Sequence, residues 1–247
     1  MDNKKTTFEL WPAIDLMGGA PVRLTKGDFG AKDEYDVSFE DIVKQFETFA
    51  FGIHIIDLDG AQSGAVQNSV AVETILGTAS LPVQLGGGLR TFESIKSWLE
   101  LGVGRVIIGT KALTDPGLMQ RLRERFRTDQ IVMSVDVKQG KVMTKGWTES
   151  NEVGAFEFMA SLVEQGFQNF MVTDIEQDGT LQGASVELYK KLKNQFPQIY
   201  LLAAGGVGSL QDLEDLKSTG ISGAIFGKAF YEGKISVEDL NAFTNAC

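Results

Sequence analysis

Cysteine and histidine are almost missing from this 247-residue chain: Cys247 is the only cysteine and His54 the only histidine. A single thiol excludes a disulfide framework, a CxxC redox pair and a cysteine zinc site. One imidazole disfavours a His-rich metal cluster and most Ser–His or Cys–His nucleophile systems. No run of 18 apolar residues occurs, and the N-terminal MDNKKTTFEL lacks the apolar core of a signal peptide. The expectation is a cytoplasmic protein. Basic charge is in deficit, with 23 Lys and Arg against 33 Asp and Glu and a net charge of -10, which argues against nucleic acid or an anionic membrane as the main partner. A small phosphorylated ligand stays open, because local amides and a few cations outweigh a distant, screened surface charge.

What is present is an ordinary globular composition, 43% apolar and 23% charged, with an internal repeat. The stretch from Leu81 to Ala112, LPVQLGGGLRTFESIKSWLELGVGRVIIGTKA, returns in altered form from Tyr200 to Tyr231 as YLLAAGGVGSLQDLEDLKSTGISGAIFGKAFY. Gly87 and Gly205, Gly102 and Gly220, and Gly109 and Gly227 are each 118 residues apart. Each copy has the pattern strand, glycine turn, helix, strand, glycine turn, which presents backbone amides and helix N-termini to a phosphate. Two copies imply two phosphate sites.

In chain order, Phe8 to Ile14 is a first strand, expected to be short or irregular because of Pro12. Gly18 to Asp36 has no sustained period and suggests a long loop, and Phe39 to Ala50 has the spacing of a one-sided helix. Ile53 to Ile56 is a second strand closed by Asp57-Leu58-Asp59-Gly60, and Asn68 caps a helix running to Leu76. The repeated stretch supplies strands three and four. Pro116 opens a helix, and Ile131 to Val135 is strand five. Lys138 to Asn151 is a second long loop with room for a short hairpin, and Glu152 to Gln165 is helical. Asn169 to Val172, a helix from Ala184 to Gln195, the second copy and a helix from Ser236 to Phe243 complete the chain. No linker rich in Pro, Ser or charge divides it, so residues 1–247 are expected to form one domain.

Strict alternation of eight short apolar strands with helices calls for parallel strands. A doubly wound open sheet is the alternative, but four plus four units at a fixed offset close naturally into a (β/α)8 TIM barrel built from two similar half-barrels. Its strand ends carry Asp15, Asp57, Gly86 to Gly88, Gly109-Thr110, Asp136, Thr173-Asp174, Gly205-Gly206 and Gly227-Lys228. Asp15 answers Asp136 across the mouth, and one phosphate unit answers the other. A substrate with a phosphate at each end would place its middle between two carboxylates.

Plainer explanations exist for each residue. A strand-end Asp often only accepts amides of the next turn, and glycines after strands are usually turn residues; the matched placement of Asp15 and Asp136 favours catalysis. Asp57 and Asp59 divide, one structural and one near the site. Trp147 either anchors its loop or stacks on a planar substrate group. His54, inside an apolar strand, fits a satisfied core histidine better than a catalyst. Lys4-Lys5 and Arg121, Arg123 and Arg125 are most simply solvated charge.

PAIDLMGGAPVRLTKGD, HIIDLDGA, VQLGGGLR, VIIGTKAL, SVDVKQGKVMTKGWTES, TDIEQDGTLQG and LLAAGGV, in this order, resemble the phosphoribosylformimino aminoimidazole carboxamide ribotide (ProFAR) isomerase family of histidine biosynthesis, commonly called HisA. The resemblance runs along nearly the whole chain. It implies the half-barrel-duplicated fold, an Amadori rearrangement of an aminoaldose to an aminoketose without metal or organic cofactor, the bisphosphate ProFAR as substrate, and a monomer. Carried over by motif, Asp15 is the general base, Asp136 the general acid and Thr173 a residue that assists them. Arg23 and Trp147 are loop residues that meet the substrate. Gly86, Gly87, Gly88, Arg90, Gly109 and Thr110 form one phosphate site, and Gly205, Gly206, Gly227 and Lys228 the other. The residues alone do not assign acid and base. The sister cyclase has a lysine where this chain has Arg23 and lacks motifs such as IDLDGA and Gly146-Trp147, which favours the isomerase. An isomerase that also takes phosphoribosyl anthranilate, and a non-catalytic bisphosphate-binding barrel, remain as rivals.

Overall fold

A computed structural model describes residues 8–25, 28–34, 37–109, 111–144 and 149–245; for 23–25, 28–34, 144 and 149–152 it describes the backbone only. The first quarter-turn runs from β1 (Glu9–Met17) through a ribbon of β2 (Ala20–Thr25) and β3 (Asp28–Glu34) to α1 (Phe39–Phe46) and β4 (Ile53–Asp57). Next come α2 (Leu58–Ser63), α3 (Ser69–Thr78), β5 (Val83–Gly86), α4 (Phe92–Glu100), β6 (Arg105–Ile108), α5 (Lys111–Thr114) and α6 (Pro116–Arg125). The second half opens with β7 (Ile131–Lys138) and its ribbon of β8 (Lys141–Thr144) and β9 (Glu149–Gly154), then α7 (Ala155–Glu164) and β10 (Asn169–Asp174). It closes with α8 (Val186–Gln195), β11 (Tyr200–Ala204), α9 (Leu210–Ser218), β12 (Gly223–Phe226), α10 (Lys228–Tyr231) and α11 (Val237–Asn245).

Eight strands pair in parallel in the order β10-β11-β12-β1-β4-β5-β6-β7, and β7 pairs with β10 to close the ring. This is the (β/α)8 barrel. Its strands are apolar on both faces because helices cover the outside and side chains fill the inside. Trp11, Ala13, Ile107, Val132, Met171, Leu202, Ala204 and Ile225 form the inner plug, separate from the larger layer between strands and helices.

Pro12 does not shorten β1, contrary to the expectation of a short or irregular strand. The ladder to β12 ends with Pro12 opposite Phe226, and the ladder to β4 begins at Ala13 opposite His54. The stagger of a closed barrel hands the strand from one neighbour to the other at this point, so the missing N–H falls at the end of a ladder instead of inside one.

Both expected long loops are antiparallel ribbons over their described residues. β1 turns into β2 through Gly18 and Gly19, with φ of 60° and 83°, and Met17 pairs with Ala20. β7 turns into β8 through Gln139 and Gly140, with φ of 51° and 78°, and Lys138 pairs with Lys141. Two consecutive positive φ values give the tight turn whose twist matches the flanking strands. β9 also claims Glu152 to Gly154, so α7 starts later than the apolar spacing suggests. Asp57 to Gly60 is a helix start, not a closing turn: Asp57 caps α2, accepting from the Gly60 amide at 2.8 Å. α1 ends at Phe46, short of Ala50, yet Phe49 stays buried because the Phe49 and Ala50 amides bond back to the Phe46 carbonyl.

Candidate active site

The C-terminal ends of the barrel strands surround a cavity of about 290 Å³. Asp15, Gly86, Gly87, Gly88, Arg90, Gly109, Asp136, Thr173, Gly205, Gly206, Gly227 and Lys228 all line it. Thr110, Trp147 and the Arg23 side chain lie outside the described residues. The sequence therefore brings together every described residue it nominates.

Asp15 and Asp136 sit on β1 and β7, four strands apart either way around the ring. Each is half-buried, at the step where a barrel strand leaves the ring and continues as a ribbon: Asp15 pairs with Ile56 of β4 and Val22 of β2, and Asp136 with Thr173 of β10 and Met143 of β8. Parallel register places Thr173, itself buried, beside Asp136. The Ser134 hydroxyl lies 3.4 Å from Asp136 Oδ1.

The glycine turns repeat with the same fidelity. Gly87 and Gly205 have φ of 92° and 89°, and Gly88 and Gly206 of 79° and 87°. A Cβ on Gly87 would lie 2.1 Å from the Asp57 carbonyl oxygen, and one on Gly205 2.8 Å from that of Asp174. Close approach of backbone to backbone therefore demands glycine here, beyond its left-handed φ. After the next strand come Lys111 and Lys228, which open α5 and α10 and line the cavity. Each has a carboxylate four residues on at 3.6 Å, Asp115 and Glu232 respectively, and Lys228 also donates to the Gly179 carbonyl at 2.9 Å. Arg90 donates to the Ala61 carbonyl at 2.6 Å.

A further matched pair escapes inspection of the sequence. Asp57, fully buried, accepts from the amides of Gln67 and Asn68 at 2.6 and 2.9 Å and from the Asn68 side chain at 2.6 Å. Asp174 accepts from the Glu176 amide at 3.0 Å and from the Ser185 hydroxyl. Asn68 and Ser185 are the cap residues of α3 and α8. Asn68 makes no side-chain bond to its own helix; instead its Oδ1 accepts from the Gly19 amide at 2.7 Å, while Asp59 accepts from the Gly18 amide at 2.7 Å. Asp57 is thus the structural member of its pair, and Asp59 holds the ribbon turn without lining the main cavity. Lys111, Ser134 and Asp178 also line the cavity, beyond the residues expected from the sequence; a lysine follows the strand-end glycine in both VIIGTKAL and AIFGKAF, one position later in the first, so the 118-residue offset sets Lys228 against Thr110 and hides Lys111.

Fold and site define a two-fold (β/α)8 barrel whose mouth sets two opposed aspartates between two glycine-turn units. The family model described as "Histidine biosynthesis protein" matches residues 9–236. A protein of Phocaeicola vulgatus named 1-(5-phosphoribosyl)-5-((5-phosphoribosylamino)methylideneamino) imidazole-4-carboxamide isomerase is 38% identical over 237 residues, 96% of this chain and 99% of its own length. Proteins of the same name from Halothermothrix orenii and Tolumonas auensis are each 39% identical, covering 96% and 94% of this chain and 100% and 97% of their own lengths. The chain belongs to this isomerase family of histidine biosynthesis proteins. Among the described residues no helix is long and apolar enough to cross a membrane.

Proposed function

We propose that the chain catalyses the Amadori rearrangement of ProFAR to its phosphoribulosyl isomer by acid–base catalysis with Asp15 and Asp136. The observation that carries this reading is the matched placement of the two carboxyls on opposite sides of one cavity, each beside a glycine-turn unit. Binding two phosphates alone gains nothing from two opposed carboxyls near an anionic ligand; proton transfer at the middle of that ligand needs both.

The steps balance without a co-reactant. Asp136, as acid, gives a proton to the ribose ring oxygen; the C1–O bond breaks and the amine nitrogen's electron pair forms a protonated Schiff base. Asp15, as base, removes the proton from C2, and the electrons pass through C1 to the nitrogen, giving an enaminol. Return of a proton to C1 and loss of the C2 hydroxyl proton leave the aminoketose. Thr173, beside Asp136 in the register, assists.

Gly86, Gly87, Gly88, Arg90, Gly109 and Thr110 hold one phosphate, and Gly205, Gly206, Gly227 and Lys228 the other; Lys111 joins the first set. Arg23 and Trp147 meet the substrate, and the long segments after β1 and β7 exclude water from the open-chain intermediate. In this reading residues 1–247 work as one domain, as a cytoplasmic monomer. Turnover of ProFAR, followed by chromatography because isomerisation leaves the mass unchanged, tests the assignment. Phosphoribosyl anthranilate run in parallel separates a dedicated isomerase from one of broader specificity. Binding of ProFAR without turnover would leave a bisphosphate-binding barrel instead.

A further inference from the structure

A tyrosine hydroxyl bonds the residue that leads into the second glycine turn. Tyr189, on α8, is fully buried. Its oxygen lies 3.0 Å from the Val172 carbonyl oxygen and 2.9 Å from that of Ala204, and it accepts from the Ala204 amide at 3.3 Å. Val172 and Ala204 belong to the neighbouring strands β10 and β11, so the phenol is wedged between the two. A hydroxyl has one hydrogen to donate and two lone pairs. Here the hydrogen serves two carbonyls, and the oxygen takes the Ala204 N–H. Burial pushes the phenol far above its ordinary value of 10, so it stays a neutral donor.

Ala204 is where the sheet stops holding β11. Its ladders to β10 and β12 both end there, with Thr173 and Ile225 opposite, and Gly205 and Gly206 follow with positive φ. The peptide unit between Ala204 and Gly205 is planar, so a bond that holds the Ala204 carbonyl also sets the direction of the Gly205 N–H. Thr173 has a second support, because the ladder to β7 runs through it to Asp174 opposite Val137. The glycine turn lies beyond both ladders of its own strand. The first half is held differently: four residues after its cap α3 has Val72, where α8 has Tyr189, and Val72 is equally buried but carries no hydroxyl. There the Asp57 carboxylate makes the ties, to the Gly60, Gln67 and Asn68 amides and the Asn68 side chain.

We propose that Tyr189 is a positioning residue for the second phosphate site, its hydroxyl fixing the Ala204–Gly205 peptide so that the amides of Gly205 and Gly206 are preset for an anion. This rests on the reading of these glycines as phosphate ligands of the isomerase. Donors fixed before the ligand arrives spare binding the cost of ordering them. The two cradles depend on different supports, a carboxylate for the first and a phenol for the second, so loss of the phenol oxygen disables only one.

Tyr189→Phe removes that oxygen alone. Inorganic phosphate, followed through the glycine amides by ¹H–¹⁵N NMR, is expected to bind about tenfold more weakly at Gly205 and Gly206, the size of one net hydrogen bond, and unchanged at Gly87 and Gly88. KM for ProFAR is expected to rise by a similar factor, with kcat within about twofold of wild type, as for loss of uniform binding. Leu192→Ala, also fully buried on α8, costs at least as much stability and leaves the hydroxyl in place. Equal weakening in both variants, or at both glycine pairs, would mean a general loosening and would overturn the proposal. If Tyr189→Phe does not fold, the wild type still decides. Its slowly exchanging Tyr189 hydroxyl proton is expected to shift as phosphate fills the Gly205 turn, and a resonance that stays fixed while Gly205 titrates would overturn the coupling. No response of Gly205 and Gly206 to phosphate in the wild type would overturn it as well. Absence of ProFAR turnover alone would count against the isomerase reading, with the phosphate titrations still deciding the role of Tyr189.

Discussion

Asp15 and Asp136 stand at the same step of two hairpins, each three residues before the first residue of a two-residue turn, Gly18-Gly19 in one and Gln139-Gly140 in the other. The ladder that fixes each turn also fixes each carboxyl, because a one-residue slip would send the side chain to the opposite face of the strand. The two groups therefore face one cavity through their registers, with no contact between them required.

Replacement of either carboxyl by its amide keeps the shape and removes proton transfer. Asp15→Asn and Asp136→Asn are each expected to lower kcat by about 10²- to 10⁴-fold, the usual contribution of a positioned acid or base. Affinity for ProFAR is expected to stay close to wild type. Steady-state kinetics together with calorimetry check both halves of this statement, and wild-type kcat in either variant would remove that residue from the mechanism.

Asn68 joins the buried Asp57 carboxylate to the turn that follows Asp15, through bonds of 2.6 Å to Asp57 and 2.7 Å from the Gly19 amide. Asn68→Ala removes a donor from a carboxylate that water does not reach, at a cost of about 1–3 kcal/mol in unfolding free energy. It also frees the Gly19 amide. Faster hydrogen exchange at Gly18 and Gly19, with little change at Gly140, is the expected signature. Equal acceleration in both ribbons would mean a general loss of stability instead of a loosened first hairpin.

The parallel ring was legible because strands buried on both faces are short apolar runs that end at polar or glycine residues, and because the glycine repeat sets four units against four. The first ribbon was not, although Gly18-Gly19 is a strong hairpin signal, because in DFGAKDE, the sequence of β3, only Phe29 and Ala31 alternate as apolar residues; the second was legible only as a loop with room for a short hairpin. Pro12 misled because the cost of a missing N–H depends on where the barrel's stagger hands a strand to its next neighbour, and that is a property of the closed ring. Every described residue nominated for the site reached the cavity, since strand ends fix position directly. The Asp57–Asn68 and Asp174–Ser185 pairs join residues eleven positions apart and depend on side-chain reach, which no period reveals. His54 reads as a satisfied core histidine, and it is buried and bonded to Gln84 while also lining the cavity.

Glu47, just past α1, accepts from the amide and the hydroxyl of Ser80, both at 2.7 Å. The backbone bond from Ser80, followed by its hydroxyl bond, holds the Glu47 carboxyl below its ordinary value of 4.5. A carboxyl with a lowered folded value adds stability above its unfolded value and loses it as pH falls through the folded one. Glu47→Gln is therefore expected to lower the denaturation midpoint slightly at pH 7, and the gap to wild type is expected to close below pH 4.5 as protonation proceeds. The site is exposed, so the effect is small. Paired urea titrations at neutral and acid pH check the sign; a gap that widens on acidification would contradict it.

Gly87 and Gly220 both have positive φ, 92° and 78°, but differ in what surrounds them. A Cβ on Gly87 would lie 2.1 Å from the Asp57 carbonyl oxygen and 2.7 Å from its carbon, whereas one on Gly220 would meet nothing within 4 Å. Gly220→Ala is expected to cost only the left-handed penalty, about 1–2 kcal/mol, and to leave turnover unchanged because the residue lies after α9, away from the mouth. Gly87→Ala adds a backbone clash that no rotamer relieves, so about 3 kcal/mol or more is expected in total. Any folded fraction must move the glycine turn off Asp57 and distort the proposed phosphate cradle. Urea denaturation gives the two costs, and calorimetry with ProFAR is expected to show weakened binding in Gly87→Ala alone. Equal costs in the two variants would mean that the turn beside Asp57 yields freely, and the close approach of these two backbones would then not be what demands glycine at the site.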